Sequence, residues 1–175
     1  MYSMMELVSQ ASFSDAHETL AIPVIAANMH RVIQPAQSQI WAVLRAKDDA
    51  DRLTYSLTST FLGRMCLSGD IYDLTAQQLS LVEEAISFYR KAAEVIRSGK
   101  TTRIECSTES YNHPEGQQLV IREYEGKRLI IFHRFRNSAE LPDHILRDSR
   151  IIAEFGRADK DFTAAAYLVE NGRTS

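Results

Sequence analysis

The 175-residue sequence contains few of the residues that mark specialised classes of protein. It has two cysteines, Cys66 and Cys106, and neither belongs to a pairing or ligand-spacing pattern. We therefore expect no disulfide framework and no metal site, and a reducing, cytoplasmic location. The seven glycines form neither a phosphate-binding loop nor a Gly-x-Ser-x-Gly elbow. No cofactor is expected.

The sequence also has little net charge and no long apolar runs. The net charge is −3, and no basic stripe or acidic tail is present, so nucleic acid is a poor candidate partner. Apolar runs such as Leu129–Phe132 are too short to span a bilayer, and no signal-like leader opens the chain. With 45% hydrophobic and 25% charged residues, the sequence is typical of a globular protein that is not associated with a membrane.

Helical periodicity dominates residues 1 to about 99. The clearest helix is predicted from Thr75 to Ser98, with a capping box formed by Thr75 and Gln78 and a stop at Gly99. Further helices are predicted over 16–33 and 51–62. Pro23 lies inside the first of these, so we expect a kink or a late start there.

Short apolar runs alternate with these helices. Ala11–Ser14, Ser38–Leu44 and Arg64–Leu67 suit buried strands. The order strand, helix, strand, helix, strand, helix predicts parallel β/α units, and hence an α/β fold for the first half.

The second half has the period-two alternation of β-strands. Strands are predicted over 118–124, 128–135, 150–155 and 163–169. A hairpin loop is expected at Glu125-Gly126-Lys127, and 100–117 is predicted to be a linker or crossover. These patterns divide the chain into an α/β part, residues 1–99, and an antiparallel β-domain, residues 100–175.

Four segments carry a resemblance to a known family. They are YSMMELVSQASFSDAHE, IPVIAANMHRVIQPAQSQIWAV, FLGRMCLSGDI and TAQQLSLVEEAISFYRKAAEVIRSG, in this order. The chain thereby resembles the C-terminal part of the large, tetramer-forming bacterial and plant-type α-galactosidases, which are related to raffinose synthases. The resemblance implies the last strands, about six to eight, of a (β/α)8 barrel, followed by a small antiparallel β-domain.

The resemblance also implies a glycosidase active on α-galactoside oligosaccharides and a homo-oligomer for the full-length enzyme. Asp15 matches the general acid/base of the family. A retaining glycosidase needs a second carboxylate as nucleophile, which in the family lies upstream in a Lys-x-Asp setting that this sequence lacks. The chain is therefore expected to be a fragment whose nucleophile lies in a missing upstream segment, and to be inactive alone.

Five further residues are weaker candidates for substrate contacts: Ser14, His17, Trp41, Ser68 and Asp70. Each has a plainer explanation. Asp15 and His17 stand where a helix cap and first turn are expected, Trp41 suits a core strand, and Ser68 and Asp70 suit a turn.

Two other interpretations stay open. The chain could be a non-catalytic carbohydrate-binding or oligomerisation module, with sugar-stacking aromatics among Tyr111, Tyr124, Phe132, Phe135 and Tyr167. It could also be an unrelated α+β protein. The second would be favoured if the β/α units did not bring Asp15 and Asp70 to the same end of a sheet.

Overall fold

Among the residues that the structure describes, two β-sheets and three α-helices make up the fold. The computed structural model describes residues 7–12, 19–104 and 112–171. A parallel sheet contains β1 (Ala11–Ser12), β2 (Ser38–Leu44) and β3 (Arg64–Gly69), in that order. The second sheet is antiparallel, in the order β4-β5-β6-β8-β7, and its strands are β4 (Lys100–Ile104), β5 (Gln117–Tyr124), β6 (Lys127–Arg134), β7 (Ser149–Arg157) and β8 (Ala164–Asn171).

The helices are α1 (Ile22–Met29), α2 (Ala50–Thr60) and α3 (Ala76–Ser98). The prediction for α3 is confirmed in detail. The Thr75 hydroxyl accepts a hydrogen bond from the Gln78 backbone, and the Gln78 side chain accepts one from the Thr75 backbone. This capping box satisfies two of the backbone N–H groups that a helix start leaves free.

The helix predicted over 16–33 is wrong in extent. It begins at Ile22, with Pro23 in its first turn, and ends at Met29. The late start follows from the proline, whose fixed φ and missing N–H suit the first turn of a helix but not its interior. Residues 16–18 of the predicted helix lie outside the described residues.

The linker predicted over 100–117 is also wrong in part, because Lys100–Ile104 forms β4 and pairs with β5 from Lys100↔Glu123 to Ile104↔Leu119. As an edge strand β4 buries little, so its sequence carries only a weak strand pattern. The predicted hairpin is confirmed with a shorter loop. Lys127 pairs with Tyr124, and both loop residues, Glu125 and Gly126, have positive φ, as a two-residue turn requires.

One apolar core joins the two sheets through α2 and α3. From the parallel sheet, Ile40, Ala42 and Leu44 pack into it, and from the antiparallel sheet Val120, Leu129, Ile131, Ala166 and Leu168 do so. The rings of Phe61, Phe88 and Phe155 meet inside it. The centroid of the Phe61 ring lies 4.7 Å from that of Phe88 and 5.5 Å from that of Phe155. The core therefore crosses the predicted boundary near residue 99, and the division into two domains stays a prediction.

The opposite face of the antiparallel sheet is covered as well. Leu119, Ile121, Ile130 and Phe132 pack there against Ile145 of the β6–β7 connection. Both faces of this sheet are consequently apolar. None of the described helices is long and apolar enough to cross a membrane.

Candidate functional site

The candidate site lies on the parallel sheet, on the face turned away from α2. Successive residues of a strand point to opposite faces, and Ile40, Ala42 and Leu44 point into the core. Gln39 and Trp41 therefore share the other face with Ser12, which lies beside Gln39, with Cys66, which lies beside Trp41, and with Ser68, which lies two residues after Cys66. We call this surface, formed by those five residues, the far face.

Two hydrogen bonds order the far face. The Trp41 indole Nε1 donates to the Ser12 hydroxyl over 2.8 Å, and the Gln39 amide Nε2 donates to the Cys66 sulfur over 3.1 Å. Trp41 is half-buried, and its only polar group is already bound to Ser12. The part of Trp41 that is left for further contacts is therefore its apolar ring face.

The carboxyl ends of β2 and β3 meet at one edge of the sheet, where Leu44 pairs with Gly69, whereas the described part of β1 ends at Ser12, beside Gln39 near the start of β2. Asp70, directly after β3, lies at this edge. Its carboxylate accepts a hydrogen bond from the Ala46 backbone at 3.3 Å and lies 3.7 Å from the Arg45 guanidinium. Asp70 thus ties the loop after β2 to the end of β3, although an ion pair this exposed stabilises the fold only slightly.

Only some of the other predicted site residues belong to the part of the chain that the structure describes. Ser68 is half-buried on the far face, opposite Val43. Ser14, Asp15 and His17 lie outside the described residues, so their roles stay predictions. Ser12, the last described residue of β1, precedes them in sequence and lies beside Gln39 near the start of β2, so the described part of β1 stops short of the edge at which Asp70 lies.

Two residues at this edge, Arg45 and Gln78, were not among the predicted site residues. The Gln78 side chain donates to the carbonyls of Ala46 and Asp48 at 3.1 and 3.0 Å, and so fixes the loop after β2 to the start of α3. Arg45 directly follows a predicted strand, a position that could have singled it out. Gln78 had been assigned only to its own helix cap.

A serine and a histidine elsewhere have the spacing of a nucleophile and its base. The Ser59 hydroxyl lies 3.1 Å from Nε2 of His133. Both residues are completely buried, however, and the same hydroxyl donates to the Tyr55 carbonyl at 2.9 Å. A substrate cannot reach them, so the pair is structural. Among the described residues no group of three or more His, Cys, Asp or Glu side chains could hold a metal ion.

No protein-family model and no curated protein matches the sequence. Solved structures do match the fold. The α-galactosidase from Lactobacillus brevis has a TM-score of 0.71 at 14% identity, over 95% of this chain and 27% of that one. The GH36 α-galactosidase AgaA from Geobacillus stearothermophilus has a TM-score of 0.68 at 14% identity, over 90% and 25%. A variant of AgaA in complex with raffinose has a TM-score of 0.69 at 12% identity.

The chain spans about a quarter of the length of these solved chains. The match runs through both sheets, because it includes at least nine-tenths of this chain. The resemblance noted in the sequence is therefore confirmed in three dimensions: this chain has the fold of about a quarter of a GH36 α-galactosidase.

Proposed function

We propose that the chain is the C-terminal portion of a retaining glycoside hydrolase that cleaves α-galactosides. The observation that carries this proposal is the fold match with α-galactosidases over 90–95% of the chain. In this proposal β1, β2 and β3 are about the sixth to eighth strands of a (β/α)8 barrel. Such barrels have their active sites at the carboxyl ends of the strands, the edge at which Asp70 lies.

Asp15 is the general acid/base in this proposal. It follows the last residue of β1 by three positions in the sequence. In the first step Asp15 protonates the glycosidic oxygen of the leaving group while a second carboxylate attacks the anomeric carbon. In the second step Asp15 takes a proton from the water that hydrolyses the glycosyl–enzyme bond, which restores the nucleophilic carboxylate.

The second carboxylate is proposed to lie in a segment upstream of these residues. The two carboxyl groups of a retaining enzyme are about 5–5.5 Å apart, so the nucleophile is proposed to come from the end of an earlier strand of the same barrel, facing the same cleft. Ser14, His17, Trp41, Ser68 and Asp70 are proposed to contact the sugar from this chain's side. Trp41 contributes its ring face, and the others contribute hydrogen bonds.

Raffinose and stachyose, each bound to a variant of AgaA, are the model substrates for this proposal. A cytoplasmic location and assembly of the full-length enzyme from several copies belong to it as well. They are carried over from the sequence and the family resemblance.

The 175-residue chain alone is expected to release no nitrophenol from p-nitrophenyl α-galactoside, because one carboxylate cannot carry out both steps. The measurement is a spectrophotometric assay of the purified chain, with Asp15→Asn as the matched variant. Turnover by the chain that is lost in Asp15→Asn would show that the nucleophile is present, and would contradict this proposal.

The alternative, a non-catalytic sugar-binding module, loses support from the aromatic residues. Phe132 and Phe135 are 1% and 0% exposed, so the expectation that they stack on sugars is wrong. Tyr124 and Tyr167 are half-buried, and Tyr111 lies outside the described residues. Phe132 points into the small core beneath the β6–β7 connection, away from solvent.

A further inference from the structure

Helix α1 is held at both ends by buried polar groups. At its start, the Tyr55 hydroxyl donates to the Leu20 carbonyl at 3.0 Å, and the Gln118 amide donates to the Pro23 carbonyl at 3.0 Å. At its end, the Arg103 guanidinium donates to the Asn28 side chain at 2.9 Å. These contacts tie one short helix to α2, β4 and β5.

His30, the residue that follows α1, is half-buried, and both nitrogens of its ring are shielded from solvent. Among the described residues neither ring nitrogen has a hydrogen-bond partner, although a neutral imidazole carries one donor and one acceptor. Burial, followed by the charges of Arg122 and Arg103, lowers the pKa of His30 to about 3. An apolar side chain would fill the same space at less cost. What the imidazole adds is the capacity to become a third cation beside two guanidinium groups.

His133 is linked to the start of α1 through two neighbouring residues. Its ring packs edge-on against Tyr55, at 5.1 Å between centroids, and it pairs across the strands with Gln118. These are the two residues that hold the start of α1. Since the Ser59 hydroxyl donates to the Tyr55 carbonyl, it must accept from His133 Nε2, and the other ring nitrogen has no partner within the described part of the chain. Burial lowers the pKa of His133 to about 3, and the Tyr55 backbone opposes this shift.

We propose that α1 is an acid-sensitive latch, which detaches from α2 and the antiparallel sheet when His30 and His133 take up protons. His30 faces Arg103 of β4 and Arg122 of β5. His133 meets Tyr55 and Ser59 of α2, Gln118 of β5 and, as its partner on β8, Ala164. None of these groups is a carboxylate that could neutralise a new positive charge.

The direction of the effect follows from the proton balance. With α1 attached, both histidines have a pKa of about 3, whereas exposed histidine has a pKa of about 6.5. Between these pH values the detached state binds more protons, so lowering the pH favours detachment. Each histidine shifts the equilibrium about tenfold per pH unit inside this window.

The latch does not rest on the proposed function. If that function holds, α1 is the helix that follows the candidate acid/base Asp15 in the chain. Its release would then alter the attachment of the catalytic segment at low pH.

Native-state hydrogen exchange of the whole chain, read by mass spectrometry from pH about 7 to about 5, tests the latch. Corrected for the intrinsic exchange rate, the protection of α1 is expected to fall about 20-fold if one histidine responds and several hundredfold if both do. Amides in the middle of α3 should remain more protected than α1 throughout. In His30→Gln the fall in the protection of α1 between these pH values should be about 20-fold smaller than in wild type. In His144→Gln, a substitution of an exposed histidine, the fall should equal that of wild type.

Equal protection of α1 and α3 at every pH would overturn the proposal, because α1 would then open only when the whole protein unfolds. Protection of α1 that does not change between pH about 7 and about 5 would overturn it too. The wild-type series decides between these outcomes even if His30→Gln fails to fold. The variant only assigns the effect to one ring.

Discussion

Gly69→Ala is expected to destabilise the protein by about 4 kcal/mol, the sum of a strained backbone and an overlap with the neighbouring strand. Gly69 has φ +96, a conformation that residues with a Cβ rarely adopt. A Cβ added there would lie 2.1 Å from the Leu44 carbonyl oxygen, which is backbone and cannot turn aside. That same carbonyl accepts the Asp70 backbone N–H at 2.8 Å, so the substitution disturbs the carboxyl edge of the sheet.

Gly116→Ala is the matched control. Gly116 also has positive φ, +76, but no atom of the residues that the structure describes lies within 4 Å of an added Cβ. Gly116→Ala should lower the free energy of unfolding only by the cost of the left-handed conformation, about 1–2 kcal/mol. Chemical denaturation of both variants gives the two free energies of unfolding. Equal losses would mean that Gly69 does not lie against Leu44, and that the end of β3 is wrongly described.

Arg122→Ala is expected to lower the free energy of unfolding by a similar amount, about 4 kcal/mol. Arg122 is completely buried, and it donates to the Leu62 carbonyl at 2.9 Å, the Ile96 carbonyl at 3.5 Å and the Thr101 hydroxyl at 3.0 Å. It thereby satisfies carbonyls at the ends of α2 and α3, where the helix dipoles favour a cation. Burial lowers the pKa of Arg122 only to about 10, so it keeps its charge at neutral pH.

Arg97→Ala serves as the control, because Arg97 lies in the last turn of α3 and is exposed. Its loss should be about 0.5 kcal/mol or less. Arg122→Met keeps most of the buried volume but leaves the carbonyls unsatisfied. Its loss in the free energy of unfolding should therefore lie between those of Arg122→Ala and Arg97→Ala. A loss for Arg122→Ala no larger than that for Arg97→Ala would contradict the role assigned to this guanidinium.

Local patterns predicted the regular elements because each pattern has a local cause. The Thr75–Gln78 capping box and the Glu125-Gly126 turn are set by neighbours in sequence, and both are found where they were predicted. The weak edge strand β4 was missed because its five residues bury little. Its pairing with β5 is a tertiary contact that its own sequence does not display.

The buried polar residues could not be predicted in the same way. Gln118, Arg122 and His133 belong to strands whose two faces are both covered. Alternation cannot tell which face of such a strand is solvated, so it gives no signal that these three polar side chains are buried. Their partners, the carbonyls of Pro23, Leu62 and Ile96, lie far away in the chain.

The candidate site was predictable in outline only. Parallel β/α order was enough to predict that β2 and β3 end at one sheet edge, where Asp70 lies; that Asp15 reaches the same edge stays a prediction, because the described part of β1 ends beside the start of β2. The ties from Arg45 and Gln78 depend on how the loop after β2 meets α3. No spacing in the sequence expresses that contact.

The most direct test of the central claim is an assay of the longest natural reading frame that contains these residues, as wild type and Asp15→Asn, with raffinose and with p-nitrophenyl α-galactoside. We expect the wild-type protein to hydrolyse both raffinose and the nitrophenyl galactoside. We expect Asp15→Asn to lose at least about 100-fold on raffinose and less on the nitrophenyl substrate, whose leaving group needs no proton. Full activity of Asp15→Asn on raffinose, or a folded wild type that hydrolyses neither substrate, would contradict the central claim.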